Sequence, residues 1–347
     1  MILRVRNVEL GGRILAETTL LVDAKGIRHG LAPLGGLNVV AGATGSGKTL
    51  LAEAVWLGVS WSLARLKGLA DVVEAAYKAS AVRPLSLVFE VELEDYEIPG
   101  GARLQAVIDG GLLEKLEVRP EATDKEALAY ALAHIVSLPH TLKEAVYSSQ
   151  GVSLVHLAPR ESCDFLLPII PPAAVKIGAE VRAVCYAESL GVEPGVVFIR
   201  KERDSYYTEL STGEISREVL RYYGEALQAL RGEAKRVGVS LMPMAIIDDA
   251  FDGLDGRALS EAARGTNAST WSLYATTHRT EAAEFAERIL ALTYGLKASD
   301  LASKPSDFRF ALVDINAMDY DRYVDFCEKV ILGDLEKCKQ MYGLSAQ

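Results

Sequence analysis

The run Gly42-Ala43-Thr44-Gly45-Ser46-Gly47-Lys48-Thr49 matches the pattern G-x-x-x-x-G-K-[ST] at every fixed position. Glycines let a backbone curl so that successive N–H groups face one anion, and the start of a following helix adds its positive end. Lys48 would reach the outer phosphates, Thr49 would ligate Mg²⁺ through its hydroxyl, and Leu50 would continue the anion-facing first turn. Further along, Met244-Ala245-Ile246-Ile247-Asp248-Asp249 is an apolar run that ends in two acids. An acid at a strand tip beside a phosphate loop holds Mg²⁺, which is the expectation for Asp248. Asp249 then faces the position from which a water would attack the terminal phosphate, and would orient and polarise it. Thirty residues beyond Asp248, the run Ala275-Thr276-Thr277-His278 ends another strand, and His278 could donate a hydrogen bond to that same phosphate.

These side chains need scaffolding, and the local patterns supply it. Leu37–Ala41 reads as a short buried strand before the glycine loop, and a helix runs from Thr49 towards Arg65. Strand, glycine loop and helix in that order separate a phosphate site from a glycine-rich turn that binds nothing. Ser272–Thr276 and Ile289–Thr293 read as further core strands, and Phe308–Ile315 as a late one. Ile2–Val8 and Glu17–Leu21 read as a hairpin around Gly11-Gly12. Ser86–Leu93 alternates, and Arg103–Ile108 with Leu113–Val118 would extend it into an antiparallel sheet. Thr123-Asp124-Lys125-Glu126 reads as a capping box that opens a helix through about Val136. A strand is expected at Ser153–Leu157, a helix at Ala173–Leu190 after Pro171-Pro172, and a strand at Val196–Arg200. Ile215–Val237 predicts a long amphipathic helix and Tyr320–Met341 a closing one. Just before the long helix, Ser211-Thr212-Gly213 is either an anion-binding turn or an ordinary helix cap. Strands alternating with helices around a phosphate loop predict an α/β fold.

The chain has 347 residues, half of them hydrophobic, and a formal net charge of −10. No apolar run approaches the length of a membrane span, and the alternating start lacks a signal peptide's apolar stretch. The expectation is a cytoplasmic protein without membrane insertion. Cys163, Cys185, Cys327 and Cys338 make no C-x-x-C pair, which argues against a zinc site or structural disulfides. The acidic balance excludes a globally basic nucleic-acid binder, though not a local basic patch. Four Asn and five Gln in the whole chain hint at a thermophilic source.

Taken in order, the motifs resemble those of the ABC-type ATPase superfamily. Gly42–Thr49 resembles its Walker A loop, Leu210-Ser211-Thr212-Gly213-Glu214 its signature, and Ala245–Asp249 its Walker B strand. Gly253-Leu254-Asp255 is similar to the D-loop, and His278 to the switch histidine. Within the superfamily the likeness is to the SMC/RecF/OLD-like branch. Leu3-Arg4-Val5-Arg6-Asn7-Val8 is similar to that branch's opening, Tyr147-Ser148-Ser149-Gln150-Gly151 to its Q-loop, and His156–Glu161 to a run of OLD-like ATPases. The motifs cover about Ile2–Glu53 and Thr208–Gly295, and the middle only in short runs.

The resemblance implies a P-loop fold with a mainly parallel core sheet flanked by helices, an antiparallel β subdomain and a helical lobe bearing the signature. It implies one ATPase domain over 1–347, with a nucleotide-binding core at 1–68 and 238–315. An inserted lobe would occupy 69–237 and a C-terminal helix 316–347. It also implies ATP and Mg²⁺ as cofactors, an ATP-dependent homodimer in which Ser211 and Gly213 act in trans, and Asp255 at the interface. Gln150 would contact Mg²⁺ or the attacking water. The chain departs from the pattern at three places: Asp249 replaces the usual Glu, Ala250 the usual Pro, and Thr212 the first signature Gly. The shorter Asp249 predicts slow hydrolysis.

Three functions follow. The first is a DNA-handling ATPase, with Arg217, Arg221, Arg231, Lys235 and Arg236 on the long helix, or Arg200, Lys201 and Arg203, as the basic surface; a solvated helix face is the plainer reading of those charges. The second is a transporter's ATPase subunit, against which stands the stretch of 162 residues from Lys48 to Leu210. The third is a nucleotide-gated switch that engages a further protein partner and hydrolyses little.

Overall fold

The computed structural model describes residues 1–11, 13–18, 20–23, 26–29, 31, 35–41, 47–79, 83–140, 169, 180–182, 198–200, 212–267, 270–277, 282, 285–294 and 310–314. Strands β1 (Ile2–Leu10), β2 (Arg13–Thr18), β3 (Leu20–Asp23), β4 (Gly26–His29) and β5 (Gly36–Ala41) precede helices α1 (Lys48–Lys67) and α2 (Ala70–Ala79). Then come β6 (Leu85–Leu93), β7 (Ala102–Asp109), β8 (Leu112–Arg119), α3 (Lys125–Ala133), β9 (Ile135–Leu138), β10 (Glu180–Arg182) and β11 (Phe198–Arg200). Helix α4 (Thr212–Ala234), β12 (Met244–Ile247), α5 (Gly256–Asn267), β13 (Ser272–Thr276), β14 (Arg288–Tyr294) and β15 (Phe310–Asp314) complete the described elements.

An antiparallel sheet has the order β2-β1-β6-β7-β8. Along most of β1, β6 and β7 buried and less buried residues alternate, as the period of two requires. Leu3, Val5, Leu87, Phe89, Val91, Leu104 and Ala106 are buried on one face, while Arg4, Arg6, Glu92 and Arg103 meet in ion pairs on the other. A larger sheet has the order β4-β3-β15-β14-β5-β13-β12-β9. From β14 to β9 all neighbours run parallel. Leu37–Val40 of β5 and all of β9, β12 and β13 are buried without alternation, as strands covered on both faces must be.

Helix α1 leads from the end of β5 into the core. From Leu50 to Ala64 every residue is buried, because the helix is apolar around its circumference and has no face to give to solvent. Its few polar groups are satisfied locally. Trp56 Nε1 donates to Ile169 O (3.3 Å), Trp61 Nε1 to Gly111 O (2.8 Å) and Ser62 Oγ to Gly58 O (2.6 Å). Glu53 is fully buried and accepts from Arg83 Nη2 at 2.9 Å. A buried carboxylate needs such a partner to remain charged. No helix among the described residues is long and apolar enough to cross a membrane.

Several expectations need correction. The second strand of the first hairpin is not Glu17–Leu21. β2 ends at Thr18 and pairs with β1, whereas β3 starts at Leu20 and joins the other sheet. The helix that opens at Thr123–Glu126 is capped by Asp124, whose carboxylate accepts from Glu126 N and Ala127 N. It stops at Ala133, and Ile135–Leu138 forms β9 instead of the helix's last turn. A four-residue apolar run after a helix carries no period of its own, and pairing with β12 decides it. Within the range Ala173–Leu190, where a helix is expected, the described residues Glu180–Arg182 are a strand that pairs antiparallel with Phe198–Arg200. The strand expected at Ser153–Leu157, the closing helix Tyr320–Met341 and all four cysteines lie outside the described residues. β9 comes from the 69–237 stretch yet borders the large sheet, while β1 and β2 from 1–68 belong to the antiparallel one.

Candidate functional site

In the parallel sheet, β13 lies between β5 and β12, and β14 lies on the other side of β5. In chain order β5 is followed in this sheet by β9, on one side, whereas its neighbour β13 is followed by β14, on the other, so two adjacent strands are continued in opposite directions across the sheet. Crevices beyond the C-terminal strand ends at such a reversal are where α/β sheets bind ligands. Four strand ends meet there. β5 leads towards the glycine loop, β13 ends at Thr276, β12 runs into Asp248 and Asp249, and β9 runs into Pro139-His140.

Of the phosphate loop, Gly42–Ser46 lie outside the described residues. Gly47 caps α1 with φ 92°, a left-handed conformation that glycine adopts without penalty. Lys48 and Thr49 begin the helix; Lys48 and Leu50 are buried and Thr49 is half-buried. Burial pushes the Lys48 ammonium below its usual range, and the carboxylates of Asp248 and then Asp249 pull it back up. An ammonium so placed is a cation kept partly dry beside two acids, and it gains most when an anion arrives.

Asp248 is 1 % exposed. The Thr276 hydroxyl donates to its Oδ1. The His140 backbone N–H donates to its Oδ2 at 3.3 Å, and its own N–H donates to Leu138 O at 3.0 Å. Both carboxylate oxygens are thus held by neutral donors. Asp249 is half-buried with φ 48°, a left-handed conformation that Asp tolerates better than longer side chains. Its N–H donates to Thr276 Oγ1 at 3.0 Å. Thr49 hydroxyl and Asp248 carboxylate are hard oxygen ligands of the kind Mg²⁺ takes alongside waters and phosphates. The donor set therefore fits that ion. Among the described residues no group of three or more His, Cys, Asp or Glu side chains forms a metal cage.

Gly213 sits in the first turn of α4 against the segment that follows Asp249. A Cβ there would stand 2.4 Å from Gly253 O, so only glycine permits the approach. Ser216 Oγ donates to Asp252 O at 2.8 Å and fastens the same contact. Asp255 is exposed, and its carboxylate caps α5 by accepting from Ala258 N at 2.8 Å. Ser211, Gln150 and His278 lie outside the described residues, as do Lys201 and Arg203. On α4 and the turn after it, Arg217, Lys235 and Arg236 are exposed, and Arg236 pairs with Glu233. Arg231 lies near the buried His134.

Thr276 and His140 were not singled out from the sequence. A β-branched threonine at the end of a strand looks like a strand former. His140 contributes through its backbone, which no side-chain pattern reports.

No protein-family model matches the chain, and no curated protein matches it. Solved structures similar to it include SMC head domains and RecF. An SMC head bound to the C-terminal winged-helix domain of ScpA has 12 % identity and a TM-score of 0.45, over 91 % of this chain and 99 % of that one. The SMC head domain from Thermotoga maritima has 14 % identity and a TM-score of 0.35, over 90 % and 97 %. The recombination mediator protein RecF-ATPrS of the RecFOR pathway has 10 % identity and a TM-score of 0.38, over 90 % and 98 %. The functional reading rests on the strand-end residues themselves.

Proposed function

We propose that the chain is a Mg²⁺-dependent ATPase of the ABC type, close in kind to the SMC/RecF branch, that binds ATP at the ends of β5, β12 and β13. The observation that supports this most is the buried Lys48 at the start of α1, facing the strand-end acids Asp248 and Asp249. Gly42–Thr49 and Leu50 would wrap the phosphates, with Lys48 on the outer ones. Thr49, Asp248 and Gln150 would hold Mg²⁺, which when bound would neutralise charge on the outer phosphates. Asp249 would orient the attacking water, and His278 would steady the terminal phosphate.

ATP would close two copies head-to-tail, with Ser211, Gly213 and Asp255 of one copy completing the site of the other. The tight Gly213–Gly253 contact supports this, because it makes the start of α4 and the Asp252–Asp255 segment a single piece. In that reading 1–347 is one ATPase domain, with 1–68 and 238–315 supplying most of the nucleotide core and 69–237 adding β9 to its sheet besides carrying signature and Q-loop, and 316–347 as a closing helix. The protein would act in the cytoplasm on DNA or chromosomes.

A second reading is favoured by one residue. Asp249 is one methylene shorter than the usual acid, so ATP would gate association of two copies, or of a protein partner, with little turnover.

Steady-state hydrolysis with Mg²⁺, with and without double-stranded DNA, decides between them. A Lys48-dependent rate that rises several-fold with DNA, and falls with salt as phosphate contacts must, supports the first. A mass that doubles with ATP and persists without turnover supports the second. Gly213→Ala should block the doubling in either case. A mass unaffected by ATP contradicts the dimer.

A further inference from the structure

Thr276 is fully buried at the end of the strand that separates the phosphate-loop strand from the strand of the acids. It makes contacts to three consecutive residues. Its hydroxyl donates to Asp248 Oδ1, the hydroxyl oxygen, Thr276 Oγ1, accepts from Asp249 N–H at 3.0 Å, and the Thr276 carbonyl accepts from Ala250 N–H at 3.2 Å. The direction of this relay follows from chemistry. An ionised carboxylate only accepts, so the single hydroxyl proton goes to Asp248 and the lone pairs remain for Asp249.

Asp249 needs that anchor. Its φ of 48° is a conformation that non-glycine residues seldom adopt and that persists where neighbours hold it. The Thr276 hydroxyl is the neighbour that grips its N–H. Valine has the same shape and an equal liking for strands, so packing and propensity alone do not call for a hydroxyl at this position.

We propose that Thr276 is the positioning residue of the site: its buried hydroxyl ties the Asp248 carboxylate to the Asp249 backbone, so that the metal-side acid and the water-side acid keep one fixed relation. This rests on the Mg²⁺–ATP reading of the same strand ends. Thr276 touches neither nucleotide nor water in this role and acts through the two aspartates.

The test compares wild type, Thr276→Val, Thr276→Ser and Lys48→Ala in Mg²⁺-ATP turnover, in the Mg²⁺ concentration for half-maximal rate, and in binding of a fluorescent ATP analogue. Loss of a group that orients a ligand to metal or water costs roughly 10- to 100-fold in activity or metal affinity. The expected result is a fall of that size in kcat for Thr276→Val, a raised Mg²⁺ midpoint, analogue affinity within about 3-fold of wild type, and near-complete rescue by Thr276→Ser. Should Thr276→Val fail to fold, Thr276→Ala is measured in its place. Wild-type kcat and Mg²⁺ midpoint in the valine variant overturn the proposal. Equal losses in the valine and serine variants also overturn it, since they assign Thr276 to packing. A wild type that matches Lys48→Ala in both binding and turnover removes the nucleotide reading and the proposal with it. That outcome is distinct from an active wild type beside an indifferent valine variant.

Discussion

Two buried carboxylates in this molecule have opposite surroundings. Glu90, on the antiparallel sheet, is 1 % exposed and is ringed by the guanidiniums of Arg6 and Arg103 and the Gln105 amide. Asp248, just past the end of β12 in the parallel sheet, is equally buried, yet a hydroxyl and a backbone N–H donate to its carboxylate. Glu90 has its charge neutralised by contacts already made. Asp248 is held in place by neutral donors, and the cation that feels it is Lys48, which burial lowers and the two aspartates raise. The first arrangement tightens a sheet. The second gathers one ammonium and two acids at neighbouring strand ends, the kind of charge cluster that a site for a cation and a polyanion requires.

That contrast can be broken in three ways. The largest effect belongs to Asp249→Asn. It keeps the left-handed backbone, which Asn also tolerates, and removes the charge that would polarise water. Turnover should drop by about 10²–10³-fold with ATP binding retained, measured by phosphate release and equilibrium binding. Loss of binding together with turnover would place Asp249 in nucleotide contact instead.

The next effect lies at the opposite end of β9. His134 is buried, donates Nδ1–H to Tyr130 O at 2.6 Å, and is held down to about 4, chiefly by burial, with a smaller push from Arg231. The unfolded chain protonates first, so stability is complete above pH 6.5 and is lost as pH falls towards 4. The full loss is about 3 kcal/mol. Denaturant melts of wild type and His134→Asn across pH 4–7 should diverge in that window, and parallel curves would refute it.

The smallest effect is Glu90→Ala, which leaves Arg6 and Arg103 facing each other. We expect a loss of about 2 kcal/mol, less than for a fully buried pair because both guanidiniums reach solvent. ATP binding should be unchanged, measured on the same samples. A change in ATP affinity would show that the two carboxylates are not separate in function.

An apolar run that ends in Asp248-Asp249 and a glycine loop before Lys48 carry their chemistry in their residue types. Of these, the described residues Lys48, Asp248 and Asp249 lie close enough to interact electrostatically. The parts that escaped are set by tertiary pairing. Ile135–Leu138 could have continued α3, and its pairing with β12 makes it a strand. Glu180–Arg182 lies within an expected helix, yet pairs with β11. Thr276 reads as an ordinary β-branched residue until its hydroxyl is seen between two aspartates.

The measurement that bears most directly on the central claim is calorimetric titration of ATP, with and without Mg²⁺, into wild type, Lys48→Ala and Asp248→Asn. Wild type should bind, and Mg²⁺ should tighten that binding. Lys48→Ala should lose at least about 10-fold in affinity, one charge-assisted contact's worth. Asp248→Asn should bind ATP alone as wild type does and lose the gain from Mg²⁺. Equal binding by all three, or no binding by wild type, would contradict a Mg²⁺–ATP site at these strand ends.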